Sequence, residues 1–136
     1  MTKRIKQAII IDDDEVDQRI YRRVMDRSGL VDNVLCFTYA DEALAHLIAN
    51  PDLEVDVIFL DINMPRMNGF EFLDAAMQEF GSAFARMVVV MLTTSLHPED
   101  EQRAKGMEVV KEFIRKPLTV EHVAEVAKLL EQREPQ

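Results

Sequence analysis

With one cysteine in 136 residues the chain cannot build a disulfide framework, and Cys36 lies inside the apolar run VLCF, where a buried, inert thiol is expected. Long hydrophobic stretches are missing as well. The most apolar segment, MVVVMLTTSL, falls short of the roughly 20 residues a membrane-spanning helix needs and carries hydroxyls. The start, MTKRIKQAIIIDDD, opens with bases like a secretory leader, but its apolar part lasts only four residues before three aspartates end it. A soluble, cytoplasmic domain is therefore expected. Bases are the scarcer charge. Sixteen Lys and Arg against 25 Asp and Glu leave a formal charge of −9, which argues against a surface that tracks nucleic-acid phosphates and against an acidic membrane as partner. Linkers, internal repeats and low-complexity tracts are also lacking, and only REPQ follows the last helical pattern. These absences lead to the expectation of one domain over residues 1–136 with no output domain, and the 48% apolar content is enough for a sizeable core.

Five short apolar runs are present: Ala8–Ile11, Val34–Phe37, Val57–Leu60, Met87–Leu92 and Glu112–Ile114. They are rich in β-formers and do not alternate with polar residues, as strands covered on both faces should not. Helical periods lie between them. Val16, Ile20 and Val24 are spaced by four, with Tyr21 and Met25 beside them. Ala43, Leu44, Leu47 and Ile48 follow Asp41, read as an N-cap, and stop at Asn50-Pro51. Phe70, Leu73, Met77 and Phe80 end at Gly81. Pro98 with Glu99, Asp100 and Glu101 reads as a first helical turn, and Val120, Val123, Ala127 and Leu130 form a last stripe opened by Thr119. Strand and helix alternate five times. The expected fold is an α/β, doubly wound, five-stranded parallel sheet of flavodoxin-like (βα)5 type with strand order 2-1-3-4-5.

Polar residues fall at the carboxyl ends of these runs. Run one ends in Asp12-Asp13-Asp14, run three in Asp61, run four in Thr93-Thr94-Ser95 and run five in Arg115-Lys116-Pro117. In an open parallel sheet the ligand crevice lies at that edge, where the strand order reverses, here between strands one and three. Asp12, Asp13 and Asp61 should converge there, with Thr93 and Lys116 on one side. Three carboxylates so close resist ionising together unless a cation joins them. Oxygen donors without histidine or thiolate favour Mg²⁺, with Mn²⁺ or Ca²⁺ as substitutes. Such a site suits phosphoryl chemistry, and Asp61 is best placed to be the nucleophile that forms an aspartyl phosphate, with Lys116 and Mg²⁺ spreading the charge.

The segments IIIDDDE, FLDINMPRMNG, VVVMLTTS and FIRKPL, in that order, resemble the receiver domain of two-component response regulators, above all the stand-alone chemotaxis (CheY-like) kind, over nearly the whole chain. The resemblance implies that Asp12 and Asp13 hold Mg²⁺, that Asp61 is the phosphoacceptor, and that the backbone carbonyl of Asn63 is a further metal ligand. It also implies that Thr93 is the switch hydroxyl, Lys116 the phosphate-binding lysine and Phe113 the aromatic rotamer switch. The donor would be a phosphohistidine of a sensor histidine kinase or histidine phosphotransfer protein, and the output an unidentified protein bound at the face of helix four, strand five and helix five. The domain would be a monomer, or a homodimer promoted by phosphorylation. It would catalyse only its own phosphorylation and dephosphorylation.

Two departures from the family pattern stand out. Thr94 follows the switch hydroxyl where a small residue is usual, and is expected to narrow access to the phosphate. The stretch AKGMEVVKEF lacks the usual Gly-Ala pair before the aromatic, so a longer loop between helix four and strand five is expected. Asp14 reads as a helix cap, Pro65 and Gly69 as turn formers, and His46, His97 and His122 carry no assigned chemistry. Among rival readings, a haloacid-dehalogenase-type phosphatase would want a second acid two residues after the nucleophile, where Asn63 stands. A flavodoxin-like cofactor binder would find its flavin phosphate repelled by three aspartates. A degenerate, phosphate-independent receiver-like scaffold is disfavoured by the intact acidic site.

Overall fold

The computed structural model describes residues 4–94 and 97–133; Ser95 and the last three residues of REPQ lie outside them. In chain order the elements are β1 (Ile5–Ile11), α1 (Glu15–Ser28), β2 (Val31–Phe37), α2 (Ala40–Ala49), β3 (Val57–Asp61), α3 (Gly69–Phe80), a 3-10 helix (Gly81–Arg86), β4 (Val88–Thr93), α4 (Pro98–Lys105), β5 (Val110–Arg115) and α5 (Val120–Arg133). The strands form one parallel sheet in the order β2-β1-β3-β4-β5, as the sequence pattern predicts.

Unalternating strands are buried on both faces because each face has its own core. Ile9, Ile11, Ile58, Leu60, Val89 and Met91 point to one side, where Ala43 and Leu47 of α2, Phe72, Leu73 and Ala76 of α3 and Ala104 of α4 meet them. Ala8, Ile10, Val57, Phe59, Val90 and Leu92 point to the other, against Tyr21 and Met25 of α1 and Val123, Val126, Ala127 and Leu130 of α5. Each Val, Leu, Ile, Phe or Met among them stabilises the fold by about 1.5–3 kcal/mol relative to leaving it exposed. All of β3 and β4 is buried, so the central strands hold their carboxyl ends in fixed positions.

Helix ends follow local chemistry. The Asp14 carboxylate accepts from the backbone N–H groups of Val16 at 2.8 Å and Asp17 at 3.4 Å, capping α1 as expected, and Gly29 closes that helix in the left-handed region at φ 69°. Asn68 caps α3 in a reciprocal box with Glu71.

Some expectations are corrected. The cap of α2 is Tyr39, with no side-chain bond, because Asp41 is engaged by Arg66 instead. On α1 the inward residues are Tyr21 and Met25, while Val16 is 53% and Ile20 42% exposed; the four-residue spacing marks an outer row one position away from the buried one. The expected stop of α3 at Gly81 holds, and the chain then tightens into the 3-10 helix, which buries Phe84 edge-on against Phe72. The connection from α4 to β5 is residues 106–109. Backbone bonds from Gly106 to Gln102 (3.1 Å), Met107 to Ala104 (3.1 Å) and Val110 to Met107 (3.0 Å) keep it tight without the Gly-Ala pair. Finally, β5 starts at Val110 rather than Glu112: Val110 already pairs with Val89, and the register shifts before Glu112 pairs with Val90.

Candidate functional site

The acidic residues meet at the reversal of strand order. Asp12 directly follows β1 and Asp61 ends β3, two neighbouring strands paired Ile11 to Leu60. Asp12, Asp13 and Asp61 each offer a carboxylate oxygen, and these atoms all lie within 4.8 Å of one another. Asp12 is 1% exposed and Asp61 7%, whereas Asp13 faces solvent. The Asp12 carboxylate accepts from the Asp14 backbone N–H at 2.9 Å, and its own carbonyl accepts from the Gln18 side chain at 2.7 Å. This carboxylate is thus held by the helix it precedes.

Asp61 is placed by the loop that follows it. The Gly69 N–H donates to the Ile62 carbonyl at 2.8 Å, folding the loop back on the strand end. A Cβ at Gly69 would stand 2.5 Å from the Asp61 carbonyl oxygen and 3.1 Å from the Ile62 Cα, so the close approach requires glycine. Arg66 in the same loop takes a left-handed φ of 71°, stacks 4.0 Å over the Tyr39 ring and pairs with Asp41, tying the loop to α2. Asn63, two residues beyond Asp61, is exposed in this loop.

From the other side comes Lys116, just after β5. Its ammonium lies 2.8 Å from Asp17 Oδ2, 3.0 Å from Asp12 Oδ2 and 3.7 Å from Asp61 Oδ1. Its backbone N–H donates to the Thr93 carbonyl at 2.9 Å, linking the lysine to the end of β4, where Thr93 is fully buried. Phe113 is half-buried on β5 opposite Met91, packed on the core face that α2, α3 and α4 cover. Thr94 is exposed. The histidines stand apart: His46 packs on Phe37, His97 is exposed beside Glu99, and His122 accepts from the Thr119 N–H.

Charge follows from burial. Asp61 is raised to about 7, first by burial and then by the charges of Asp12 and Asp13, against the pull of Lys116 and the Ile62 N–H. Burial also raises Asp12, opposed by the Asp14 N–H and Lys116. For Lys116, burial alone would depress the ammonium, but the Asp17 bond, the Asp61 charge and the Asp12 bond outweigh it and hold the lysine charged. An all-oxygen trio that resists full ionisation is the donor set a hard divalent cation fits, with Mn²⁺ or Ca²⁺ able to replace Mg²⁺.

Asp17 escaped the sequence reading. It sits in the first turn of α1, where an acid is explained by the helix dipole alone, and its bond to Lys116 spans 99 residues. The only available signal was register: with Asp14 as cap, Asp17 lies one turn in, on the side of the strand end. Gly69 was read as a turn former, and its contact with Asp61 becomes visible only once the loop is folded.

Comparison with known proteins agrees with this geometry. The family model described as "Response regulator receiver domain" matches residues 8–128. The chain is 28% identical over 132 residues to hybrid signal transduction histidine kinase L of Dictyostelium discoideum, covering 93% of this chain and 7% of that protein. It is 29% identical over 122 residues to sensor histidine kinase CheAY of Helicobacter pylori, covering 89% and 14%. The chain thus spans a small fraction of these curated relatives. Among solved structures, a two-component response regulator from Cytophaga hutchinsonii superposes with a TM-score of 0.90 at 25% identity, covering 96% of this chain and 99% of that one. Chemotaxis protein CheY4 of Vibrio cholerae gives 0.74 at 26% identity, covering 93% and 98%. No helix among the described residues is long and apolar enough to cross a membrane. With this fold, these strand-end acids and a match over residues 8–128, the chain belongs to the response regulator receiver domain family of two-component signalling.

Proposed function

We propose that this receiver accepts a phosphoryl group on Asp61 from a phosphohistidine of a sensor histidine kinase or histidine phosphotransfer protein in the cytoplasm, and that the modified domain binds a protein target. The observation that supports this best is the juxtaposition of three carboxylates within 4.8 Å with a lysine ammonium 3.7 Å from Asp61. Ionised Asp61 attacks phosphorus; the O–P bond forms as the P–N bond breaks, and its electron pair returns to the imidazole nitrogen. Asp12, Asp13, Asp61 and the Asn63 carbonyl would hold Mg²⁺, which supplies positive charge against the phosphoryl oxygens and favours ionised Asp61. Lys116 donates to those oxygens from the opposite side, and the receiver supplies the rest of the apparatus for its own labelling and hydrolysis.

The aspartyl phosphate brings nearly two negative charges and strong acceptors. In this reading Thr93 turns its hydroxyl toward them, and Phe113 follows into the space released, altering the face of α4, β5 and α5 where a target, or a second copy of the chain, docks. Moving such an equilibrium from 1:99 to 99:1 takes about 5.5 kcal/mol, which two or three charge-assisted contacts supply. The test is incubation with acetyl phosphate and Mg²⁺ followed by intact-mass measurement. The native chain should gain one phosphoryl group and Asp61→Asn none; equal labelling of both would falsify the assignment.

A further inference from the structure

The three N–H donors of the Lys116 ammonium are not aimed mainly at Asp61. Its shortest contact, 2.8 Å, is to Asp17, the next, 3.0 Å, to Asp12, and Asp61 comes third at 3.7 Å. Asp17 is no member of the trio that could hold a cation, so its carboxylate serves the lysine alone. Lys116 is only 12% exposed and Asp17 24%, so this bond is sheltered enough to matter. Beside the pair lies a second irregularity. The hydroxyl of Tyr21, a residue 2% exposed, has no well-formed hydrogen-bond partner, although the Lys116 ammonium, Asp12 and Asp17 lie near enough to act on it. Buried donors without an acceptor are rare, and this one offers a partner to a carboxylate released by Lys116.

We propose that Asp17 is a positioning residue that holds Lys116 back in the unmodified receiver and competes with the incoming phosphoryl group for it. For the ammonium to serve phosphoryl oxygens attached to Asp61, at least one of its two shorter contacts must give way. Asp12 is buried and committed to the cation trio, so Asp17, the more exposed of the two, is the one that yields. Its contact is made in the ground state and lost in the labelled state, which raises the barrier to labelling. Its negative charge also faces an anionic reactant. Both effects have the same sign.

This inference rests on Asp61 being the phosphoacceptor, and the experiment separates the two. The full chain is labelled with acetyl phosphate and Mg²⁺, and the rate of mass gain is followed for the native protein, Asp17→Asn and Asp17→Glu, each checked to be folded at the assay temperature by a cooperative thermal transition well above it. Asp17→Asn should label about tenfold faster, the order expected for deleting one sheltered charge-assisted hydrogen bond, and Asp17→Glu should return the rate toward native. The ratio of Asp17→Asn to native should persist at high salt, since a contact effect is not screened as a distant charge is. Native labelling with no acceleration in Asp17→Asn, or an acceleration that high salt abolishes, overturns the role of Asp17 alone. Absence of labelling in the native chain overturns the phosphoacceptor reading beneath it.

Discussion

Replacing Asp61 with asparagine should stabilise this receiver at alkaline pH and change it little in acid. In the folded chain the Asp61 carboxyl titrates at about 7 rather than 3.8, because burial and then the charges of Asp12 and Asp13 disfavour its ionised form. Unfolded, it loses its proton near pH 4. Through the window from about 4 to about 7 the folded state therefore binds more protons, so native stability falls as pH rises and levels off above 7. About three pKa units at 1.36 kcal/mol each set a loss of about 4 kcal/mol at pH 8, against about 1 kcal/mol at pH 4.5. Asparagine keeps the shape and carries no such proton. Asp12 shares the titration, being raised by the same burial, so the apparent midpoint belongs to the acidic cluster. Urea unfolding in the presence of a chelator reads this directly: with a slope near 2 kcal/mol/M, the midpoint of Asp61→Asn should exceed native by roughly 2 M at pH 8 and by a quarter of that at pH 4.5. Saturating Mg²⁺ should narrow the gap at pH 8 by stabilising the native chain alone. An offset that is absent, or the same at both pH values, refutes the account of Asp61 as a carboxylate whose ionisation the fold opposes.

Magnesium affinity measured calorimetrically should weaken about tenfold per pH unit below about 7 and stay flat above it, because the cation competes with the Asp61 proton; an affinity independent of pH would place the ion elsewhere. Gly69→Ala should lower stability by about 1–3 kcal/mol and weaken Mg²⁺ binding, since its methyl would press within 2.5 Å of the Asp61 carbonyl oxygen. A Gly69→Ala protein that unfolds at the native midpoint and binds Mg²⁺ normally would show that the loop can retreat without moving Asp61.

How much of this was legible in the sequence depended on the range of the interaction. Strand identity and order could be read because both faces of the sheet are covered, which makes Ile9–Ile11, Val57–Leu60 and Val88–Leu92 apolar without interruption. The trio of aspartates could be read because strand ends of a reversed parallel sheet converge by topology. The cap of α2 could not, since the competing partner of Asp41 is Arg66, 25 residues on. The buried face of α1 could not be chosen, because Val16 and Ile20 form one regular row and Tyr21 and Met25 another, and no local signal tells which of them faces inward. Asp17 was invisible for the same reason as Arg66: a first-turn acid satisfies local rules, and only the return of the chain at Lys116 shows that it has a second partner.

The arrangement explains why the site should respond to a change at Asp61 rather than absorb it. Asp61 terminates a strand whose five residues are all buried, flanked by β1 and β4, and the loop after it is drawn back to within van der Waals range at Gly69. The carboxylate cannot swing into solvent without breaking that packing. Relief of the repulsion must come from a proton, a cation or a chemical change on the carboxylate itself. Lys116 sits on a long side chain among three anions, Asp17 at 2.8 Å, Asp12 at 3.0 Å and Asp61 at 3.7 Å. Its backbone N–H is bonded to the Thr93 carbonyl at 2.9 Å, which places the lysine directly against the end of β4. The lysine therefore connects the acidic crevice to β4 and β5 by a hydrogen bond and an ion pair, and that connection is what a change of charge at Asp61 acts upon first.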